Sequence, residues 1–288
     1  MKKILINVLL SLAAAIAIGL LAYPYISFWL AEKNQTVVIQ EYNQHIGELD
    51  QEKKQNAWDS AVEYNSHLYS SVPIDPFSKG ISIQDEEYSS LLNLKDDGMM
   101  GHLKIPRIQV DIPVFHGTSE NVLQMGVGHL KGTALPVGGE GTHAVLTGHT
   151  GLTNSKMFSD LEKLLVGDEF YLYILGEVLA YRIDRIDVVL PNETERLMPV
   201  AGHDYATLIT CTPYGINTHR LLLRGERVPY TPEEIDWRLE QTKAVIGRET
   251  MILLAGCSLL ALWIIFNIIL VSKRRYQQKE NKKRFQHI

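Results

Sequence analysis

The chain has 288 residues, is 45% hydrophobic and carries a net charge of −5, long enough for one domain with its own core plus flanking segments. The charge is unevenly placed: Lys2 and Lys3 give +2, residues 272–288 give +6, and the part between carries −13. An acidic body argues against nucleic acid as a partner.

Residues 4–30 contain no charged side chain. At about 1.5 Å per residue such a helix crosses the roughly 30 Å hydrocarbon layer. The run exceeds the apolar region of a cleaved signal peptide, about 7–15 residues, so 1–31 is expected to be an uncleaved transmembrane anchor. In 32–70 the apolar residues Ile46, Leu49, Ala57, Ala61, Tyr64 and Leu68 recur mostly at steps of three, four or eight. That helical stripe predicts one or two helices packing on the domain. Residues 71–101 hold turn formers, with Ser71, Pro73, Asp75, Pro76, Ser78, Gly80 and Asp96-Asp97-Gly98, and read as a long loop containing Phe77.

From 102 to 230 the pattern becomes short β-prone runs broken by Gly and Pro. They fall at 103–105, 108–115, 142–148, 169–175, 178–190, 206–211 and 219–227, with a short helix expected over Ser159–Leu165. This is the pattern of a mainly β domain, a closed barrel or a sandwich. Residues 231–250 read as a juxtamembrane linker or helix. Residues 251–271 form a second uncharged run, expected to be a second transmembrane helix, and 272–288 a basic tail against anionic lipid. Basic flanks stay cytoplasmic, so both termini are expected inside and the domain outside. Cys257 lies in the second apolar run and Cys211 in the outer domain, so no disulfide is expected.

The most informative run is T-L-I-T-C-T-P-Y-G-I-N-T-H-R-L at 207–221. It reads as strand, turn, strand, with Cys211 ending the first strand and Arg220 opening the second. A thiol at its ordinary pKa is only about 3% thiolate at neutral pH, so a nucleophilic cysteine needs a base or a positive charge nearby. Arg220 supplies a charge that does not titrate away. Among nine histidines of the outer domain, His149 is singled out because the β run Ala144-Val145-Leu146 carries it to a strand end and Gly148 gives room for close approach. His129, His143, His149 and Cys211 are metal-ligand types, but their spacings of 14, 6 and 62 match no compact ligand motif. No metal and no cofactor are expected.

The run T-L-I-T-C with its downstream arginine resembles the sortase signature. Gly128-His129-Leu130, Gly132-Thr133, Leu135-Pro136 and Leu146-Thr147-Gly148-His149 resemble further sortase segments, and Asp75-Pro76-Phe77 resembles the lid triplet of class C sortases. The resemblance covers roughly 70–230. It implies a sortase-type closed β-barrel of about eight strands with N-terminal helices, and His149, Cys211 and Arg220 as catalytic residues. It also implies a lid in which Asp75 pairs with Arg220, Pro76 fixes the backbone and Phe77 keeps water from the thiol. Thr150 stands where many class C members have arginine. The implied activity is cleavage of an L-P-x-T-G-like sorting signal between Thr and Gly and transfer to a pilin lysine, building covalent pili at a Gram-positive plasma membrane. The implied partners are pilin subunits and membrane lipid. A housekeeping sortase attaching proteins to the cell wall, a hydrolytic cysteine peptidase and a non-catalytic surface scaffold stay open as alternatives.

Overall fold

The computed structural model describes residues 2–68, 73–77, 85–152, 156–230 and 256. The chain divides into two units, Tyr23–Leu239 and one that takes in Met1–Ala22 and Glu240–Ile288. In the larger unit eight strands close into a barrel. They are β1 (Met99–Ile105), β2 (Val110–His116), β3 (Val127–His129), β4 (Thr142–Thr147), β5 (Glu169–Ile174), β6 (Glu177–Val189), β7 (Asp204–Thr212) and β8 (His219–Val228). Around the barrel the order is β1-β2-β3-β4-β7-β8-β6-β5. The pairs β2–β3 and β4–β7 are parallel and the other neighbours antiparallel.

Strand alternation decides what each face holds. Along β7, Ala206 and Leu208 enter the main core with Leu221 and Leu223 of β8 and Leu146 of β4. The intervening Ile209 faces the other way and joins Val145, Leu222, Val189, Leu130 and Leu197 in a second apolar cluster. Leu197 belongs to a one-turn 3-10 helix, Glu195–Leu197, in the connection between β6 and β7. That connection therefore folds back over the outer face of β4, β7 and β8, the face on which Cys211 also falls by the same alternation.

The expected helical segment is two helices, α1 (Lys2–Glu48) and α2 (Gln51–His67), and they pack on the barrel. Ile39, Tyr42, Ile46 and Ala61 join its core. The Tyr42 hydroxyl donates to the Met100 carbonyl at 2.9 Å and accepts from the Leu175 amide at 3.0 Å. Burial pushes the pKa of this phenol up to about 12. The Asn65 side chain pairs with Leu135 as a strand would, donating to its carbonyl at 3.1 Å and accepting from its amide at 2.7 Å.

Two expectations are corrected. Residues 71–101 are not loop throughout: α3 (Glu86–Ser90) forms after the Asp85 cap, Tyr88 is buried, and β1 already starts at Met99. The short helix expected over Ser159–Leu165 is only a 3-10 turn, Leu161–Lys163. A helix the pattern did not announce, α4 (Glu120–Met125), leads into β3. The expected first span, 4–30, falls within α1, and among the described residues no helix is long and apolar enough to cross a membrane. Apart from Gly256, residues 231–288 lie outside the described residues, and with them the linker, second span and tail.

Candidate active site

Cys211 and Arg220 face each other because the β7–β8 ladder makes them direct partners, one step before Thr212↔His219 closes the hairpin. The hairpin loop turns on amides of Ile216 and Asn217 that both donate to the Pro213 carbonyl, at 3.0 and 2.9 Å. Asn217 at φ 60° and Gly215 at φ 74° supply its left-handed steps. His149 arrives from the neighbouring strand. β4 runs parallel to β7 up to Thr147↔Ile209. Beyond that the Gly148 amide donates to the Ile209 carbonyl at 3.2 Å, and the Thr210 hydroxyl donates to the Gly148 carbonyl at 2.7 Å. The residue before His149 is thus tied to the two residues before Cys211. Gly148 is needed there, since a Cβ would lie 2.7 Å from the Phe158 ring. After the histidine, Gly151 at φ 76° lies so close under Tyr214 of the hairpin loop that a Cβ would meet that ring at 2.7 Å.

Arg220 is only 7% exposed. Its Nη1 donates to the Asn217 and His219 carbonyls at 3.2 and 3.1 Å. Its Nε and Nη2 form a two-pronged pair with Asp75, at 2.7 and 2.8 Å, the planar geometry that favours guanidinium over ammonium. Buried Pro76 leads to Phe77. The Phe77 ring lies 4.9 Å from the Arg220 guanidinium carbon and 5.9 Å, tilted, from the His149 ring. All six predicted residues are therefore described, and Asp75, Phe77, His149 and Arg220 touch at one end of the barrel beside Cys211.

Cys211 is a half-buried free thiol. Burial pushes its pKa up, Arg220 pulls it down, and Asp75 pushes it up again. With Asp75 on the guanidinium, the charge that favours the thiolate is partly neutralised. For Arg220, burial disfavours the charge, but the Asp75 hydrogen bonds and the Cys211 and Asp75 charges outweigh it and keep the pKa raised.

His129 and His143, both buried, have structural partners at both ring nitrogens. His129 accepts the Tyr88 hydroxyl at Nδ1, 2.9 Å, and donates from Nε2 to the Ala134 carbonyl, 2.8 Å. His143 donates from Nδ1 to the Met198 carbonyl, 3.0 Å, and accepts from the Thr207 hydroxyl at Nε2, 2.7 Å. Burial lowers both to a pKa of about 4. Sequence reasoning missed Glu120, whose Oε1 lies 3.3 Å from His149 Nε2. Its available signal was the Ser119 cap ahead of an apolar pair, a helix start.

A family model described as a sortase domain matches residues 103–228. Sortase A of Bacillus anthracis is 26% identical over 226 residues, 78% of this chain and 93% of that protein. Sortase A of Streptococcus agalactiae is 31% identical over 131 residues, and there this chain spans only 52% of that protein. Among solved structures, sortase C-1 of Streptococcus pneumoniae shares 47% identity at a TM-score of 0.63, with 67% of this chain and 98% of that one covered. Sortase C-1 of Actinomyces oris shares 46% at 0.60, covering 62% and 99%. The chain belongs to the sortase family, the cysteine transpeptidases, and within it to class C.

Proposed function

We propose that the protein cleaves an L-P-x-T-G-like sorting signal between Thr and Gly at Cys211 and transfers the threonyl carbonyl to a pilin lysine, building covalent pili. The observation that carries this reading is the Cys211↔Arg220 pairing across β7 and β8, beside the His149 end of β4. The Cys211 thiolate attacks the threonine carbonyl carbon. Arg220 hydrogen-bonds the oxygen as it becomes an oxyanion. His149 gives a proton to the glycine nitrogen as the C–N bond breaks, leaving a thioester. The lysine amine then attacks the thioester carbonyl and gives its proton to His149. An isopeptide bond forms and the thiolate leaves. The peptide bond's energy is kept in the thioester, so no cofactor enters.

In this reading Asp75, Pro76 and Phe77 form a lid. The lid must move off Arg220 before a peptide carbonyl can reach it. One relative's structure is described in terms of pilin substrate specificity and another as belonging to a pilus island, which supports pilin as the substrate class here. Residues 1–31 and 251–271 are read as membrane helices with both termini inside, 272–288 as a basic tail on anionic lipid, and 102–230 as the external catalytic domain.

The test is Cys211→Ala, with a sorting-signal peptide and a lysine donor. The expected result is complete loss of thioester and of ligated product with an unchanged melting curve. Ligation surviving in that variant would overturn the assignment. Product masses with and without lysine separate transfer from hydrolysis.

A further inference from the structure

We infer that Glu120 is a positioning residue for His149, holding the imidazole by its Nε2 and leaving Nδ1 as the nitrogen that exchanges protons. The inference rests on His149 being the acid–base group proposed above. Glu120 is the first residue of α4, and α4 runs into β3. β3 pairs antiparallel with β4, with Gly128 opposite Thr147. A residue 29 positions upstream of His149 is thereby brought to the end of the strand that delivers the histidine.

The carboxylate is itself held. Ser119 caps α4 by accepting from the Val122 amide at 3.4 Å, and Gln124 Nε2 donates to Glu120 Oε1 at 3.0 Å. The same Oε1 lies 3.3 Å from His149 Nε2. That nitrogen is sealed from solvent and has no aligned hydrogen bond among the described residues. The contact is therefore a close approach without the alignment of a hydrogen bond, one that a rotation of the ring would convert to an N–H···O bond. No other carboxylate is paired with this ring among the described residues.

The chemical consequence concerns which nitrogen carries the proton. A carboxylate at Nε2 favours the neutral tautomer with hydrogen on Nε2 and the lone pair on Nδ1. It also resists ring rotation once Phe77, which packs near the ring, moves away with the lid. Glu120 is 66% exposed, so solvent screens its charge, and orientation is the larger part of its role.

Glu120→Ala and Glu120→Gln are compared with wild type for ligation of a sorting-signal peptide to a lysine donor, with ¹⁵N NMR of the His149 ring. Expected for E120A is a fall in kcat on the order of 10- to 100-fold, with KM and melting temperature unchanged and a mixed tautomer. E120Q keeps an acceptor oxygen and is expected to stay within a few-fold of wild type in kcat and to retain the Nε2–H form. Wild-type kcat with an unchanged tautomer in E120A would overturn the inference. So would equal losses in both variants with no change of tautomer. If E120A fails to fold, E120Q and Gln124→Ala carry the test, the latter expected to lose part of the tautomer preference. An active His149→Ala would instead overturn the His149 assignment itself, while an inactive one beside an unaffected E120A removes only the role of Glu120.

Discussion

Arg220 has two masters in this structure. Its forked side holds Asp75, and its strand position holds it opposite Cys211. Arg220→Lys keeps the charge and loses the fork. The expected result is a kcat loss on the order of 10²–10³-fold, the cost of removing one oxyanion donor; turnover within a few-fold of wild type would show the guanidinium to be structural only. Asp75→Asn removes one of the groups that push the Cys211 pKa up while Arg220, which pulls it down, remains. The pH midpoint of Cys211 alkylation is then expected to move down, with faster labelling at neutral pH, read directly from rate against pH. At this scale the sequence was highly legible. A cysteine at a strand end, an arginine nine residues on and a histidine after a glycine are local patterns. Glu120 was not, because its contact with His149 depends on the β3–β4 pairing, and no local pattern records which helix a strand pairing will bring alongside.

Among the elements, the β6–β7 connection and the 75–77 segment lie over the face that holds Cys211 and Arg220. His143 ties the connection to β4 through the Met198 carbonyl, and to β7 through the Thr207 hydroxyl. His143→Phe fills the volume but leaves the buried Thr207 hydroxyl unmatched, a loss of about 1–3 kcal/mol, and frees the half-buried Met198 carbonyl. The melting temperature is expected to drop, with KM for the peptide rising more than kcat falls, since the loosened segment covers the face shared with Cys211. Replacing Phe77 with alanine together with Asp75 is expected to raise both Cys211 labelling and peptide cleavage, because a site open only part of the time binds in proportion to that fraction. Labelling no faster than wild type would make 75–77 an ordinary turn. The strands were readable from their alternation and their Gly and Pro breaks. β3 and α4 were hard to see, because three residues and one and a half turns are too short for a period to show.

Taken whole, the molecule buries neutral imidazoles on different strands. His129 and His143 titrate near pH 4 when folded, chiefly because burial disfavours the charge, against about 6.5 when unfolded. The unfolded chain therefore binds these protons first as pH falls. Stability is full above about pH 6.5 and is lost progressively down to about pH 4, by up to about 3 kcal/mol for each histidine. Thermal melts across that interval should show the decline. His143→Phe, which cannot take up a proton, should flatten it; an equally steep curve would assign the acid lability to other groups. The barrel itself was foreseen as a class from its short strands, and its closure came from the family resemblance. The β7–β8 hairpin was readable, but the placement of β4 beside β7 and of β6 beside β8 was not, since long-range pairing leaves no periodic trace in a chain.

The hairpin carrying Cys211 and Arg220 has one more consequence. The ladder, not the loop, sets the backbone separation of Cys211 and Arg220, because the two sit opposite each other one rung inside the pair that closes the turn. The tip residues 214–216 can therefore be exchanged or lengthened at a closure cost that grows only as the logarithm of loop length, provided Asn217, whose carbonyl accepts from Arg220 Nη1, keeps its place. Variation in the hairpin tip, where Tyr214 and Ile216 stand out to solvent at 69% and 68% exposure, would retune what meets the protein there while the Cys211↔Arg220 rung stays as it is.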